Sequence, residues 1–176
     1  ADVHWIVGEL LYARNFYIAL LTGDGEEIEF PYSVDERDPH RATRKLARGM
    51  TEYVISHGEP MLADRARIAE LEASGSVRTH GSLSHCWLGV PLFRDGSVVG
   101  AIAVQSYTPE ISFTPADQEL LTFVAHHIGG GLARKAGGLG DTDLGGEPRL
   151  SRPRDRCLGH DHEPATKGRR ATRRRL

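Results

Sequence analysis

The stretch Cys86-Trp87-Leu88-Gly89-Val90-Pro91-Leu92-Phe93, followed after Arg94-Asp95-Gly96 by Ser97-Val98-Val99-Gly100-Ala101-Ile102-Ala103-Val104-Gln105-Ser106-Tyr107, decides the fold of this chain. Asp-Gly between two apolar runs signals a tight turn, because both residues tolerate the positive φ of a short hairpin loop. The runs are apolar at nearly every position instead of every second one, so each strand must be covered on both faces. The pattern predicts two long strands at the centre of a sheet, with further layers on either side.

Toward the C-terminus, Thr114 stands before Pro115 and three residues ahead of Asp117. This is the order of an N-cap, a first helical position that needs no N–H, and a carboxylate facing free backbone donors. Leu120, Leu121, Val124, Ile128 and Leu132 follow at helical spacing. Gly129, Gly130 and Gly131 interrupt that helix, and at about 1 kcal/mol each relative to alanine they predict fraying or a bend near Gly131. Toward the N-terminus, Asp64 reads as the N-cap of a short helix that carries Ile68 and Leu71 and stops at Gly75. Pro60 to Ala63 reads as a brief strand, and Met50, Tyr53 and Val54 as a short helix closed by Gly58. Asp35 to Arg44 is charged and poor in apolar residues, which predicts an exposed loop. Ile28, Phe30 and Tyr32 alternate with polar residues as a half-buried strand does, returning across Thr22-Gly23-Asp24-Gly25 from the apolar run Phe16 to Leu21. Val3, Ile6, Val7, Leu10 and Leu11 place a helix over Asp2 to Arg14. Together these elements make an α+β domain: an antiparallel sheet with its terminal helices on one face and short helices and loops on the other.

Composition sets the frame around that domain. With 176 residues, 39% hydrophobic and 26% charged, the chain suits one domain with a real core and a tail. No apolar run reaches the roughly 20 residues that cross a bilayer. Cys86 and Cys157 lie in regions of unlike composition and propose no disulfide framework, which fits a reducing cytoplasm. An opening at Ala1, without a signal segment, reads as a piece of a longer protein. The net charge of −2 hides an asymmetry: residues 1–136 carry −6 and residues 137–176 carry +4. After Gly137 the large apolar residues other than leucine vanish, Gly, Arg and Pro dominate, and no period survives. Residues 1–136 are therefore read as the domain and 137–176 as a disordered basic tail. The Gly/Arg/Pro excess is what an off-frame reading of a GC-rich gene produces, so truncation or a frameshift is the favoured origin. An inert natural tail and a phosphate-binding arm built on Arg169, Arg170, Arg173, Arg174 and Arg175 are the alternatives. Without interleaved aromatics, nucleic acid is the weakest of the three.

The string Trp87-Leu88-Gly89-Val90-Pro91-Leu92, the run Val99-Gly100-Ala101 and Phe113-Thr114-Pro115-Ala116-Asp117-Gln118-Glu119-Leu120-Leu121 resemble the closing half of a GAF domain. His57-Gly58-Glu59-Pro60 with Ala63-Asp64 resembles the middle segment of that family, and the likeness covers about Asp2 to Lys135. It is nearest to the GAF modules of bacterial multidomain sensors, whose output domains are histidine kinases or cyclic-dinucleotide enzymes. The resemblance implies a PAS-related sensory module with a small-molecule pocket between sheet and short helices. It also implies a homodimer through the terminal helices and an output domain beyond this chain.

Candidate ligand-binding residues are Tyr17, Phe30, Tyr32, Cys86 and Trp87, because aromatic side chains combine wide apolar contact with a polar handle. For any one of the aromatic residues, plain core packing is the competing explanation. Cys86 matches no bilin attachment site, and the signature of cyclic-nucleotide binders is absent, so the resemblance assigns no cofactor. His80, His85 and Cys86 are near neighbours that could ligate zinc, although a polar loop leading into a strand explains them as well. The rival function is the GAF-fold reductase of free methionine sulfoxide. That chemistry needs clustered thiols for disulfide exchange, and residues 1–136 contain one cysteine. No Ser-His-Asp order or phosphate-cradling glycine loop is present, and catalysis is not expected of this chain.

Overall fold

The computed structural model describes residues 2–136, and the tail 137–176 lies outside the described residues. Helix α1 (Asp2–Leu10) leads into strands β1 (Asn15–Leu21), β2 (Glu27–Val34) and the two-residue β3 (Arg44–Lys45). Helix α2 (Met50–His57), strand β4 (Met61–Asp64) and helix α3 (Arg65–Ala73) follow. The long hairpin of β5 (Cys86–Arg94) and β6 (Ser97–Ser106) precedes helix α4 (Pro115–Ala136). The strands form one sheet in the order β3-β2-β1-β6-β5-β4, antiparallel at every pairing.

The hairpin occupies the place its apolar runs require. β6 lies between β1 and β5, and seven consecutive residues of β5, Cys86 to Leu92, are buried. Alternation along each strand sends its side chains to two separate cores. Phe16, Cys86, Leu88, Val90, Leu92, Ile102 and Val104 meet Val7 of α1 and Leu121 and Ala125 of α4. Tyr17, Ala19, Trp87, Ala101 and Ala103 meet Val54 of α2 and Ile68 and Leu71 of α3. The terminal helices thus share one face of the sheet and the short helices cover the other.

Local signals fix the ends of these elements. Asp64 accepts the N–H of Arg67 and caps α3, while Gly58 closes α2 in the left-handed conformation. Thr114 and Asp117 exchange hydrogen bonds ahead of α4, at 2.7 Å from the Thr114 N–H to Oδ2 and 3.3 Å from the Asp117 N–H to Oγ1.

Three expectations are corrected. First, Ile28, Phe30 and Tyr32 do not share a face. Ile18 pairs with Tyr32 but Leu20 pairs with Glu29, so β2 holds one extra residue at Phe30-Pro31. The bulge, at a proline that cannot donate to the ladder, leaves Ile28 and Phe30 toward α2 and turns Tyr32 toward α1. Second, α4 does not fray at Gly131; the helix continues to Ala136. Third, the charged stretch after β2 is not wholly exposed, because Asp35 is buried beneath it.

Candidate functional site

The face of the sheet under α2 carries a cavity of about 300 Å³. Its aromatic floor comes from three strands: Tyr17 of β1, Phe30 of β2 and Trp87 of β5. Trp87 lies flat because Gly89, two residues along the same face, has no side chain; a Cβ there would overlap the indole. The indole N–H donates to the Tyr17 hydroxyl at 3.2 Å, and that hydroxyl is 2.9 Å from Thr51 Oγ1. Burial pushes the Tyr17 phenol above its ordinary pKa, against the opposing charge of Arg41.

The walls are the β2–α2 loop, the first turn of α2 and the loop before β5. Asp35, its side chain fully buried, organises the first of these. It accepts the N–H groups of Arg37 and Asp38 at 2.9 Å each, the Tyr107 hydroxyl at 2.7 Å, a Gln105 amide hydrogen at 2.5 Å, and Arg41 Nη2 at 3.1 Å. Burial alone would raise this carboxyl, but the donors outweigh it and hold Asp35 below the usual carboxylate range. Burial and the neighbouring Asp35 carboxylate push the Tyr107 phenol far upward.

Arg41, held by Asp35, places its guanidinium over the Tyr17 ring at 4.3 Å. Arg44 lies over Phe30 and pairs with Glu52. For Glu52 too, burial pushes the pKa up, and the Arg44 partner with backbone donors brings it below its ordinary value. Asp38 accepts the Ser82 N–H at 2.8 Å, and Gln105 Oε1 accepts the Ser84 hydroxyl at 2.7 Å. The loop before β5 is thereby tied both to the other wall and to the sheet.

Three of the five candidates, Tyr17, Phe30 and Trp87, converge on this cavity. Tyr32 and Cys86 belong to the opposite core. The Tyr32 hydroxyl is 2.8 Å from His4 Nδ1, and Cys86 Sγ accepts the Phe113 N–H at 3.4 Å, with burial raising the thiol pKa. Their separation from the other three follows from the Phe30-Pro31 bulge for Tyr32 and from strand alternation against Trp87 for Cys86. His80 lines the cavity while Cys86 faces away from it, and among the described residues no three metal-ligating side chains gather.

The polar residues of the site, Asp35, Arg41, Arg44, Thr51, Glu52 and Gln105, were not singled out by the sequence. One signal for them existed. Gln105 is a polar residue in a strand covered on both faces, and such a group must find a partner.

A model of the GAF domain family matches residues 3–133. The chain belongs to the GAF family. Solved structures agree in fold. The GAF domain of an Acinetobacter phosphoenolpyruvate-protein phosphotransferase is 19% identical, with a TM-score of 0.59 over 78% of this chain and 82% of that one. The GAF-B domain of DevS from Mycobacterium smegmatis is 15% identical, with a TM-score of 0.57 over 77% of this chain and 92% of that one. A domain of a putative two-component sensor histidine kinase from Sinorhizobium meliloti is 14% identical, with a TM-score of 0.52 over 77% of this chain and 90% of that one. A search of curated proteins returned no match. At these identities the structural likeness is one of GAF fold.

Proposed function

We propose that this GAF domain is a sensory module that binds a small molecule in the cavity over Tyr17, Phe30 and Trp87 and passes its occupancy to an output domain outside this chain. The observation that carries the proposal is the cavity itself: an aromatic floor ringed by charged and hydroxyl groups, near the lower end of the usual ligand-pocket range of roughly 300–1,000 Å³. A molecule touching Arg41 or Ser84 bears directly on the contacts that hold the two wall loops to the sheet. The sheet's other face carries α1 and α4, so the sheet joins the cavity to the helices that lead outward.

Domains of this fold in a putative two-component sensor histidine kinase and in a methyl-accepting chemotaxis protein support a regulatory role. The domain in this proposal works in the cytoplasm, and among the described residues no helix is long and apolar enough to cross a membrane. Pairing of two copies through α1 and α4 is part of the same proposal, supported by the exposed Trp5 and Leu10 of α1 and Phe123 of α4.

The test is a thermal-shift screen of the full chain against a library of small metabolites, repeated on Ala42→Trp. Ala42 lines the cavity and is exposed, so the added indole fills the mouth without disturbing a core. A compound that raises Tm in the original chain and not in Ala42→Trp supports the proposal. No shift with any compound, or an equal shift in both proteins, refutes it.

A further inference from the structure

We propose that the cavity takes a small monocarboxylic acid with an apolar body, held through its carboxylate at Arg41 and Arg44. The inference rests on the ligand-binding role proposed above and names the chemical class of the ligand.

The two guanidiniums stand over adjoining rings. Cζ of Arg41 is 4.3 Å from the centre of the Tyr17 ring and Cζ of Arg44 is 5.8 Å from that of Phe30, and the two rings meet edge to face at 5.8 Å. Both arginines line the cavity, so one small molecule lying on this part of it reaches both cations. Each also has a terminal nitrogen to spare. Nη2 of Arg41 is held by Asp35 and Nη1 of Arg44 by Glu52, while Nη1 of Arg41 and Nη2 of Arg44 are open to solvent and have no partner among the described residues.

The other polar side chains of the lining are engaged within the protein. Trp87 and Thr51 bond to the Tyr17 hydroxyl, Ser84 to Gln105, Ser82 to Asp38 and Thr79 to Glu72. Glu52 Oε1 receives Arg44 and the Ala47 N–H, and its second oxygen is buried out of reach of a ligand. What stays open is basic: the two guanidinium ends and the exposed imidazoles of His40 and His80. A ligand cation would meet acids already satisfied by protein donors, whereas a carboxylate finds free, charge-assisted ones.

Charge limits the head of the ligand to a single anion. Arg41 is balanced by the fully buried Asp35 and Arg44 by Glu52, so the lining has a surplus of donors without a surplus of charge. One carboxylate suits such a site. A polyphosphate, whose several charges would each need an uncompensated cation, does not. Phe30 and Met50, both half-buried, line the same cavity and give the body of the acid its apolar contact.

The experiment uses the full chain with Trp5→Phe. Trp5 is 68% exposed, and this substitution leaves Trp87, in the cavity floor, as the sole tryptophan of the original two. Benzoate, phenylacetate, butyrate and hexanoate are titrated in turn, each beside its primary amide, with calorimetry for affinity and Trp87 fluorescence to place the binding at the cavity. The tightest acid is expected to bind on the order of tenfold or more tightly than its amide. Arg44→Lys keeps the charge beside Glu52 but not the second terminal nitrogen, and should weaken the acid about tenfold while leaving the amide nearly unchanged. The comparison of acid with amide stands on the Trp5→Phe chain alone, so an Arg44→Lys protein that fails to fold does not affect it. An amide as tight as its acid overturns the class, and an acid that binds Arg44→Lys undiminished overturns the assignment of its carboxylate. Silence from every acid, with a library hit that is lost in Ala42→Trp, overturns the class and leaves the binding role standing. Silence from both removes both.

Discussion

Gly129 of α4 lies with its bare Cα against the backbone carbonyl of Phe93 in β5, where a Cβ would collide with the oxygen. The glycine run that looks like a weak point in the helix is, at this position, what lets helix and sheet approach. The neighbouring Gly130 has nothing within 4 Å of where its Cβ would be. Glycines side by side in sequence therefore have opposite roles.

The two substitutions should move stability in opposite directions. Gly130→Ala is expected to raise Tm, adding up to about 1 kcal/mol from helix propensity. Gly129→Ala is expected to lower it by about 1–3 kcal/mol, because α4 must shift off β5. Thermal unfolding followed by circular dichroism checks both, and a stabilised Gly129→Ala would mean that α4 does not pack as described.

Trp87 depends on Gly89 in the same steric sense. Gly89→Ala should force the indole off the sheet and break its bond to the Tyr17 hydroxyl, costing about 1–3 kcal/mol. In the Trp5→Phe background, the emission of Trp87 should shift to the red as the ring gains water. Unchanged emission would show that the ring can be accommodated elsewhere.

Asp35 makes stability depend on acid. Its folded pKa lies below the unfolded value of about 3.9, so its contribution is complete above that pH and is lost as the pH falls through the folded pKa. Asp35→Asn should destabilise the domain at neutral pH by about 3–5 kcal/mol, since Arg41 loses a buried partner. It should also flatten the fall in stability below pH about 4. Denaturant melts across that range measure both effects, and an unaltered pH slope would assign the acid sensitivity to other carboxylates.

Alkali acts through the tyrosines. The phenols of Tyr17 and Tyr107 are both raised, burial being the larger cause in each, so the unfolded chain deprotonates first. Stability supplied by these groups is whole below pH about 10 and declines above it. Phenolate absorbance should rise in two stages, with Tyr17 and Tyr107 appearing only as the fold is lost. A single smooth titration of a still-folded protein would contradict this.

Exposed apolar side chains on the terminal helices bear on pairing. Trp5→Ser with Phe123→Ser should shift the monomer–dimer balance toward monomer while leaving Tm of the monomer nearly unchanged, because both side chains are more than half exposed. Light scattering over a concentration series reads the balance. An original chain that stays monomeric at every concentration removes the dimer from the proposal.

Apart from the two-residue β3, strand, turn and cap positions were written locally, and the sequence alone determined them. The Asp95-Gly96 turn, the caps at Asp64 and Thr114 and the doubly covered runs of β5 and β6 each depend on residues a few positions apart. Only the tertiary structure decided which side chains meet at the cavity. One extra residue at Phe30-Pro31 reverses the face of everything beyond it, and that bulge shows only when β2 is paired with β1. Likewise Asp35 and Arg41 read as solvated charges until Gln105 and Tyr107, some seventy residues on, supply the hydrogen bonds that allow a carboxylate to be buried. Such partners are distant in sequence and carry no period, so the polar half of the site came into existence only with the fold.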